Sequence, residues 1–409
     1  MDFLIKAPEG KLRTTVNLPA SKSISNRVLI LNMLSDSPQE VSNLSDCDDT
    51  VAMLGALRSE SSVIDVGAAG TAMRFLTAYL AGKEGVRTLT GSERMKNRPI
   101  GLLVDALRAL GADIEYLEKE GFPPLRINGH RLRGGEISID GGVSSQYISA
   151  LLMAAPLMTE GLKLHIVNRL SSRPYISQTI KLMQKFGVEV DECGDAFIVA
   201  PQQYKPVPYT VEPDWSAASY WYEAAALADE AEVDIVDLSV SGLQGDEAII
   251  PLFAHLGVDT LVMPNGVLLQ RRLPERMTVF KHDFTDMPDM AQTLTVTCAA
   301  IGMPFVFSGL QSLKIKETDR LTALVNEFRK FGYPMRDSAD SLEWDGRQTR
   351  ISASPIVETY KDHRMAMSFV PWALRRSEGV MIADAGVVSK SYPRFWDDLR
   401  AAGFIITEI

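Results

Sequence analysis

Cysteine is scarce in this chain. The three present, Cys47, Cys193 and Cys298, are odd in number and form no CxxC pair, so neither a disulfide framework nor a cysteine zinc site is expected, and a reducing cytoplasm fits. Histidine is also rare, at five residues; His130, His165, His255 and His282 have no metal-ligand spacing and read as structural or surface residues. The chain lacks a GxxxxGKS/T phosphate loop, a GxGxxG dinucleotide fingerprint, an HExxH helix and a GxSxG elbow. Cys298, inside the apolar LTVTCAAIG, reads as core. Covalent, metal and nicotinamide chemistry therefore lose support. Positive charge is in deficit: 42 Lys and Arg against 52 Asp and Glu leave a net charge of −10. Broad binding to nucleic acid or an anionic membrane is not expected, and an anionic ligand must be held by local basic clusters. The longest apolar stretch, 148–158, is about half of the ~18 residues a span needs and contains Pro156. The opening residues MDFLIK lack the basic start and long apolar run of a signal peptide, so an unsecreted protein is expected.

What is present is an ordinary globular balance and a repeat. With 46% hydrophobic and 23% charged residues over 409 positions, two or three domains with sizeable cores are expected. An amphipathic stretch, a glycine and a short alternating strand recur at Gly111, Gly187, Gly257, Gly332 and Gly403, at spacings of 76, 70, 75 and 71. Ile100, Leu103, Leu107 and Leu110 fall at helical spacing, as do Leu321, Leu324, Val325, Phe328 and Phe331. Each glycine stands where a left-handed helix C-cap is wanted. A sixth, degenerate copy, TVAMLGALRSESSVIDV, has no capping glycine and looks shortened by one hairpin. GGEISIDGG, LKLHIVN, EVDIVDLSVSG and MPFVFSG read as strands. The period exceeds the ~20–50 residues of common solenoids, so six α+β units in two groups of three is the economical reading.

Basic and hydroxyl residues collect before the helical patterns. PASKSISNR (19–27), GAAGTAMRFL (67–76), RMKNRPIGLL, VSSQYISALLM, SSRPYISQ, DMPDMAQTL, LKIKETDRLTAL, YKDHRMAMSF and SKSYPRFW all read as helix N-termini, with Pro99 as a first helical residue. Free backbone N–H groups and the positive end of the helix dipole make such positions anion sites. Ser and Asp are ordinary N-caps, so one motif carries little weight. Lys or Arg at an N-terminus, however, costs ~0.3–1 kcal/mol unless an anion is brought in, and here the pattern repeats. If a helix begins near Lys316, Lys316 and Arg320 share a face with Glu317 and Asp319 between them. His363 reads as decoration of a cap.

Taken in order, SKSISNR, GTAMR, RMKNRPIG, SSQYISALLM, SRPYI, KETDRL, DHRMAM and SKSYPRFW resemble the 5-enolpyruvylshikimate-3-phosphate synthase (3-phosphoshikimate 1-carboxyvinyltransferase) family of enolpyruvyl transferases, across essentially the whole chain. The resemblance implies an α/β (α+β) fold of two pseudo-threefold domains built from βαβαββ units. One domain, 1–20 plus 213–409, is expected to be discontinuous; the other, 21–212, is inserted, with the active site in the cleft between them. The reaction implied is transfer of the enolpyruvyl group of phosphoenolpyruvate to the 5-hydroxyl of shikimate 3-phosphate, releasing phosphate, by addition and elimination through a tetrahedral intermediate, with no metal or organic cofactor. A monomer is expected, acting on small molecules.

Matched position by position, the family pattern assigns catalysis to Lys22, Asp289 and Glu317: Asp289 takes the hydroxyl proton and Glu317 serves the methylene carbon. Lys22, Ser23, Arg27, Ser144, Ser145, Gln146, Ser172, Asp289 and Lys316 are expected at shikimate 3-phosphate. Lys22, Gly70, Arg98, Gln146, Arg320, Arg364 and Lys390 are expected at phosphoenolpyruvate. Seven of these are cations, against roughly −5 to −6 carried by the two substrates. Ala68, Phe75, Ser312, Lys314 and Arg173 depart from frequent family residues. The sister UDP-N-acetylglucosamine enolpyruvyl transferases usually carry a cysteine in the loop equivalent to GSERMKNRPIG, and none occurs here. RNA 3′-phosphate cyclases, which share part of the fold, fit the acidic charge poorly, and a non-catalytic anion-binding scaffold has no use for Asp289 and Glu317.

Overall fold

The computed structural model describes residues 1–142, 144–351 and 355–409. The chain divides into two compact units, one formed by Ala20–Val211 and the other by Met1–Pro19 with Glu212–Ile409.

Ala20–Val211 contains three repeats. The first consists of strands Tyr209–Thr210 and Val41–Ser42, paired in parallel, with helices α1 (Lys22–Leu34) and α2 (Asp48–Arg58). The second has strands Val63–Asp65, Gly85–Thr90, Asp113–Tyr116 and Leu125–Gly129 with α3 (Gly70–Ala81) and α4 (Gly101–Ala109). The third has strands Gly135–Asp140, Leu162–Val167, Asp191–Cys193 and Ala196–Val199 with α5 (Ser145–Ala154) and α6 (Arg173–Lys185). In the two complete copies the chain runs βαβαββ: the first two strands are parallel, and the fourth inserts antiparallel between the second and third. The first copy lacks the final hairpin. After α2 the chain turns extended at Ser59 and enters Val63–Asp65 of the next sheet, as its shortened sequence predicts.

The discontinuous unit repeats the same order three times. Strands Leu12–Val16, Ala231–Val236, Val258–Met263 and Gly266–Arg271 accompany α7 (Trp215–Leu227) and α8 (Ile249–His255). Strands Phe280–Asp283, Phe305–Ser308, Arg336–Asp337 and Leu342–Trp344 accompany α9 (Ala291–Ile301) and α10 (Arg320–Lys330). Strands Ile356–Val357, Val380–Ile382 and Ile405–Glu408 accompany α11 (His363–Phe369) and α12 (Phe395–Ala401). The fourth strand of this last sheet is Phe3–Lys6, from the other end of the chain, lying antiparallel between Val380–Ile382 and Ile405–Glu408.

Gly111, Gly187, Gly257, Gly332 and Gly403 all have φ between 79° and 103°, the left-handed conformation in which L side chains are strained. At Gly332 a Cβ would also lie 2.2 Å from the Thr349 carbonyl oxygen. The two apolar stripes read at helical spacing are buried throughout. One strand is shorter than expected: of EVDIVDLSVSG only the part to Val236 is extended in the sheet, because Asp237 turns left-handed at φ 58°. Among the described residues no helix is long and apolar enough to cross a membrane.

Candidate functional site

In the discontinuous unit, Arg320 is the hub. It opens α10, its side chain is 2% exposed, and it spends four of its five N–H groups on three carboxylates. Nε donates to Asp362 Oδ2 at 2.7 Å and Nη2 to Asp362 Oδ1 at 3.3 Å. Nη1 donates to Asp289 Oδ1 at 2.7 Å, and Nη2 donates to Glu317 Oε2 at 3.0 Å. Three further cations close on the same acids: Lys316 lies 3.4 Å from Asp289, Arg364 lies 3.6 Å from its other oxygen, and Lys390 donates to Glu317 at 2.9 Å.

Three helix starts deliver this cluster. Asp289 sits in a 3-10 turn, Pro288–Met290, leading into α9. Asp362 caps α11 by accepting from the Arg364 amide, and Arg364 Nη2 donates at 3.2 Å to Ser216, in the first turn of α7. The charges explain Asp289: burial pushes its carboxyl up, but Lys316, Arg364 and Arg320 outweigh burial and hold it far below the usual carboxylate range, against an upward push from Glu317. Arg320 is held above its ordinary value because Asp362, Asp289 and Glu317 outweigh burial.

In Ala20–Val211 the helix starts α1, α3 and α5 carry the second cluster. Lys22 is the first residue of α1 and lies 3.7 Å from Asp49. Arg98 lies over Gly70, the first residue of α3, with its Nε buried and without a hydrogen-bond partner among the described residues. Gln146 Nε2 donates to Thr71 Oγ1 at 3.1 Å, tying α5 to α3. Ser144 caps α5, accepting from the Gln146 amide; Ser145 is the first helical residue. Ser172, at φ 57°, precedes α6. Ser23 Oγ lies 3.2 Å from Ser21 Oγ. Arg27 is 3% exposed and donates to Thr179 Oγ1, the Ser23 and Tyr175 carbonyls and Ser149 Oγ; burial lowers its pKa to about 10.

The structure thus brings Asp289, Lys316, Glu317, Arg320, Arg364 and Lys390 into one cluster; in the other unit it sets Lys22, Ser23, Gly70, Ser144, Ser145, Gln146 and Ser172 at helix starts, Arg27 in the second turn of α1 and Arg98 at the end of the 3-10 turn Met95–Asn97. Three local expectations are corrected. No helix begins near Lys316: α10 starts at Arg320 with Asp319 as its cap, and Lys316 reaches Asp289 from the end of a 3-10 turn, Gln311–Ile315. Pro99 is not helical, because α4 starts at Gly101. Lys390 ends a 3-10 turn, Ala385–Lys390, five residues before α12. The count of seven cations also omitted their partners: Asp49, Asp289, Glu317 and Asp362 offset four of the seven.

Sequence reasoning missed Asp362, Ser216, Thr71, Thr179 and Ser149. Asp362 was within reach, as the acid of DHR directly before a helix. The Ser and Thr partners carry no signal, because only packing brings them to an arginine or glutamine. Ser312, which the sequence reading leaves out, has a buried hydroxyl with no partner among the described residues, four positions before Lys316.

Comparisons with known proteins agree across the chain. The family model for EPSP synthase (3-phosphoshikimate 1-carboxyvinyltransferase) matches residues 6–61 and 58–399. A 3-phosphoshikimate 1-carboxyvinyltransferase of Bacteroides fragilis (strain YCH46) is 52% identical over 408 residues, covering 99% of this chain and 98% of the relative. One of Aliivibrio fischeri (strain ATCC 700601 / ES114) is 37% identical over 429 residues, covering 98% and 99%. A solved EPSP synthase from Acinetobacter baumannii superposes with a TM-score of 0.80 over 100% of both chains at 21% identity, a likeness of fold. The chain belongs to the EPSP synthase (3-phosphoshikimate 1-carboxyvinyltransferase) family.

Proposed function

We propose that the two clusters serve the reaction of this family, in which the enolpyruvyl group of phosphoenolpyruvate passes to the 5-hydroxyl of shikimate 3-phosphate and phosphate leaves. In the addition step the 5-oxygen bonds to C2 of phosphoenolpyruvate, the hydroxyl proton leaves, and the C3 methylene gains a proton. In the elimination step the C2–O bond to phosphate breaks and the C3 methyl group loses a proton. Asp289 receives the hydroxyl proton, and Glu317 delivers and retrieves the proton at C3. Lys22, Ser23, Arg27, Ser144, Ser145, Gln146, Ser172 and Lys316 hold shikimate 3-phosphate. Gly70, Arg98 and Lys390 hold the phosphate of phosphoenolpyruvate, and Arg320 and Arg364 hold its carboxylate; Lys22 and Gln146 touch both substrates.

The observation that carries this reading is the placing of two carboxylates, Asp289 and Glu317, among four cations in one cluster. For binding anions alone such acids are costly; for proton transfer they are needed. The ligand-free charge balance also has a mechanistic use. Asp289 held strongly ionised is a weak base, but substrates bringing roughly −5 to −6 compete for Arg320, Arg364 and Lys316. Asp289 then loses stabilisation of its charged form, and its proton affinity rises toward the range where it accepts the hydroxyl proton. The enzyme acts as a cytoplasmic monomer without nucleic-acid or membrane partners, a reading supported by its net charge of −10.

A phosphate-release assay with phosphoenolpyruvate plus either shikimate 3-phosphate or UDP-N-acetylglucosamine tests the assignment. Release is expected with the first acceptor only; release with the second alone would overturn it.

A further inference from the structure

Glu327 is a fully buried carboxylate outside the cluster described above, and it fastens the segment that leads into it. Glu327 lies seven residues after Arg320 on α10, two turns along the same face. Its Oε2 accepts from the Glu358 amide at 3.0 Å and from Lys330 Nζ at 2.7 Å, and its Oε1 accepts from the Tyr360 hydroxyl at 2.7 Å. Lys330 also donates to the Ile356 carbonyl at 3.2 Å. Directly beyond this fastening, Tyr360 and Lys361 are both left-handed, at φ 53° and 57°. Two consecutive non-glycine residues in that region persist only where their surroundings over-determine them. The next residue is Asp362, bound to Arg320 and capping α11, and two residues on is Arg364. The helix α10 therefore grips residues 358–362 through Glu327 at Glu358 and Tyr360 and through Arg320 at Asp362, and the strained pair begins at the gripped Tyr360.

We infer that Glu327 is a positioning residue for the phosphoenolpyruvate side of the site. It acts through Tyr360 and the Glu358 amide to hold Asp362 and Arg364 in register with Arg320. This rests on the reading of Arg320 and Arg364 given above and adds a residue that touches neither substrate. Removing one bond of the grip lets the left-handed pair relax, and the Asp362 carboxylate and the Arg364 guanidinium drift from Arg320. The loss then falls on phosphoenolpyruvate and spares shikimate 3-phosphate, whose proposed contacts are held mainly by the other unit.

The test uses the full chain with Tyr360→Phe, which deletes only the hydroxyl, and Glu327→Gln, which keeps the shape and removes the charge. Each variant is expected to raise KM for phosphoenolpyruvate about tenfold, with KM for shikimate 3-phosphate within about twofold. The double variant is expected to be no worse than the more affected single one, because both break the same clasp. Hydrogen exchange at the Arg364 amide, which donates to Asp362, is followed without substrates and is expected to accelerate in Tyr360→Phe. If the wild-type chain turns over and folded Tyr360→Phe keeps the wild-type KM for phosphoenolpyruvate, the proposal is overturned. If the wild-type chain does not turn over, the reaction assignment has failed by itself, and unchanged Arg364 exchange then overturns the positioning role separately.

Discussion

Arg98 occupies the space above Gly70 that any other residue there would fill: a Cβ at position 70 would lie 2.6 Å from Arg98 Nη1. Gly70 does not have positive φ, so alanine meets no backbone strain, and the obstructing atoms are the far end of a flexible side chain. Gly70→Ala is therefore expected to change stability by no more than about 0.5 kcal/mol while pushing Arg98 off the start of α3. KM for phosphoenolpyruvate should rise about tenfold with kcat less affected. Steady-state kinetics beside a thermal melt decide it, and an unchanged KM would separate Arg98 from phosphate binding.

Glu317→Gln and Asp289→Asn each remove a carboxylate proposed above to transfer a proton, while keeping shape. Both variants are expected to fold and to bind shikimate 3-phosphate, measured by calorimetry, while phosphate release falls by about 10²–10⁴-fold. Wild-type turnover in either variant removes that residue from proton transfer.

The fold was legible because its signals are local. Five glycines at near-constant spacing mark helix ends, and the structure finds each of them left-handed; the sixth copy reads as short because its hairpin is missing from the chain itself. The resemblance groups 1–20 with 213–409, but the strand pairing itself was not legible, since nothing in FLIK announces that Phe3–Lys6 will complete a sheet begun at Ile356. Of the site, the basic and acidic motifs stood out by residue type, but the pairing within the cluster did not. Lys316 and Arg320 read as neighbours on one helix face; they meet because Asp289 arrives from another helix start, with Arg320 at 2.7 Å and Lys316 at 3.4 Å. The charge count failed for the same reason, because which acids stand beside which cations is a property of packing.

The acid limb of stability follows from Asp289. Its folded pKa lies below its unfolded value, so it contributes stability that is present above the unfolded pKa, near 4, and is lost as pH falls toward the folded pKa. Urea unfolding of the wild-type chain is expected to show its midpoint dropping between about pH 5 and pH 3, and Asp289→Asn is expected to flatten that drop. An equally steep acid limb in the variant would place the titration elsewhere.

Asp362 is expected to govern the cluster's stability more than its chemistry. It is fully buried, binds Arg320 through both oxygens and caps α11. Asparagine retains the capping oxygen, since it is as good an N-cap as aspartate, so Asp362→Asn removes the charge and leaves the cap. Breaking a buried ion pair outright costs about 3–5 kcal/mol, and a guanidinium that loses one of three carboxylates is left partly uncompensated, whereas loss of a cap alone costs about 1 kcal/mol. Asp362→Asn should therefore lower unfolding free energy by well over 1 kcal/mol, and Asp362→Ala should add about one more. Denaturant unfolding of both variants separates the two contributions: a small loss in Asn with a large further loss in Ala would make Asp362 a helix cap first and a partner of Arg320 second.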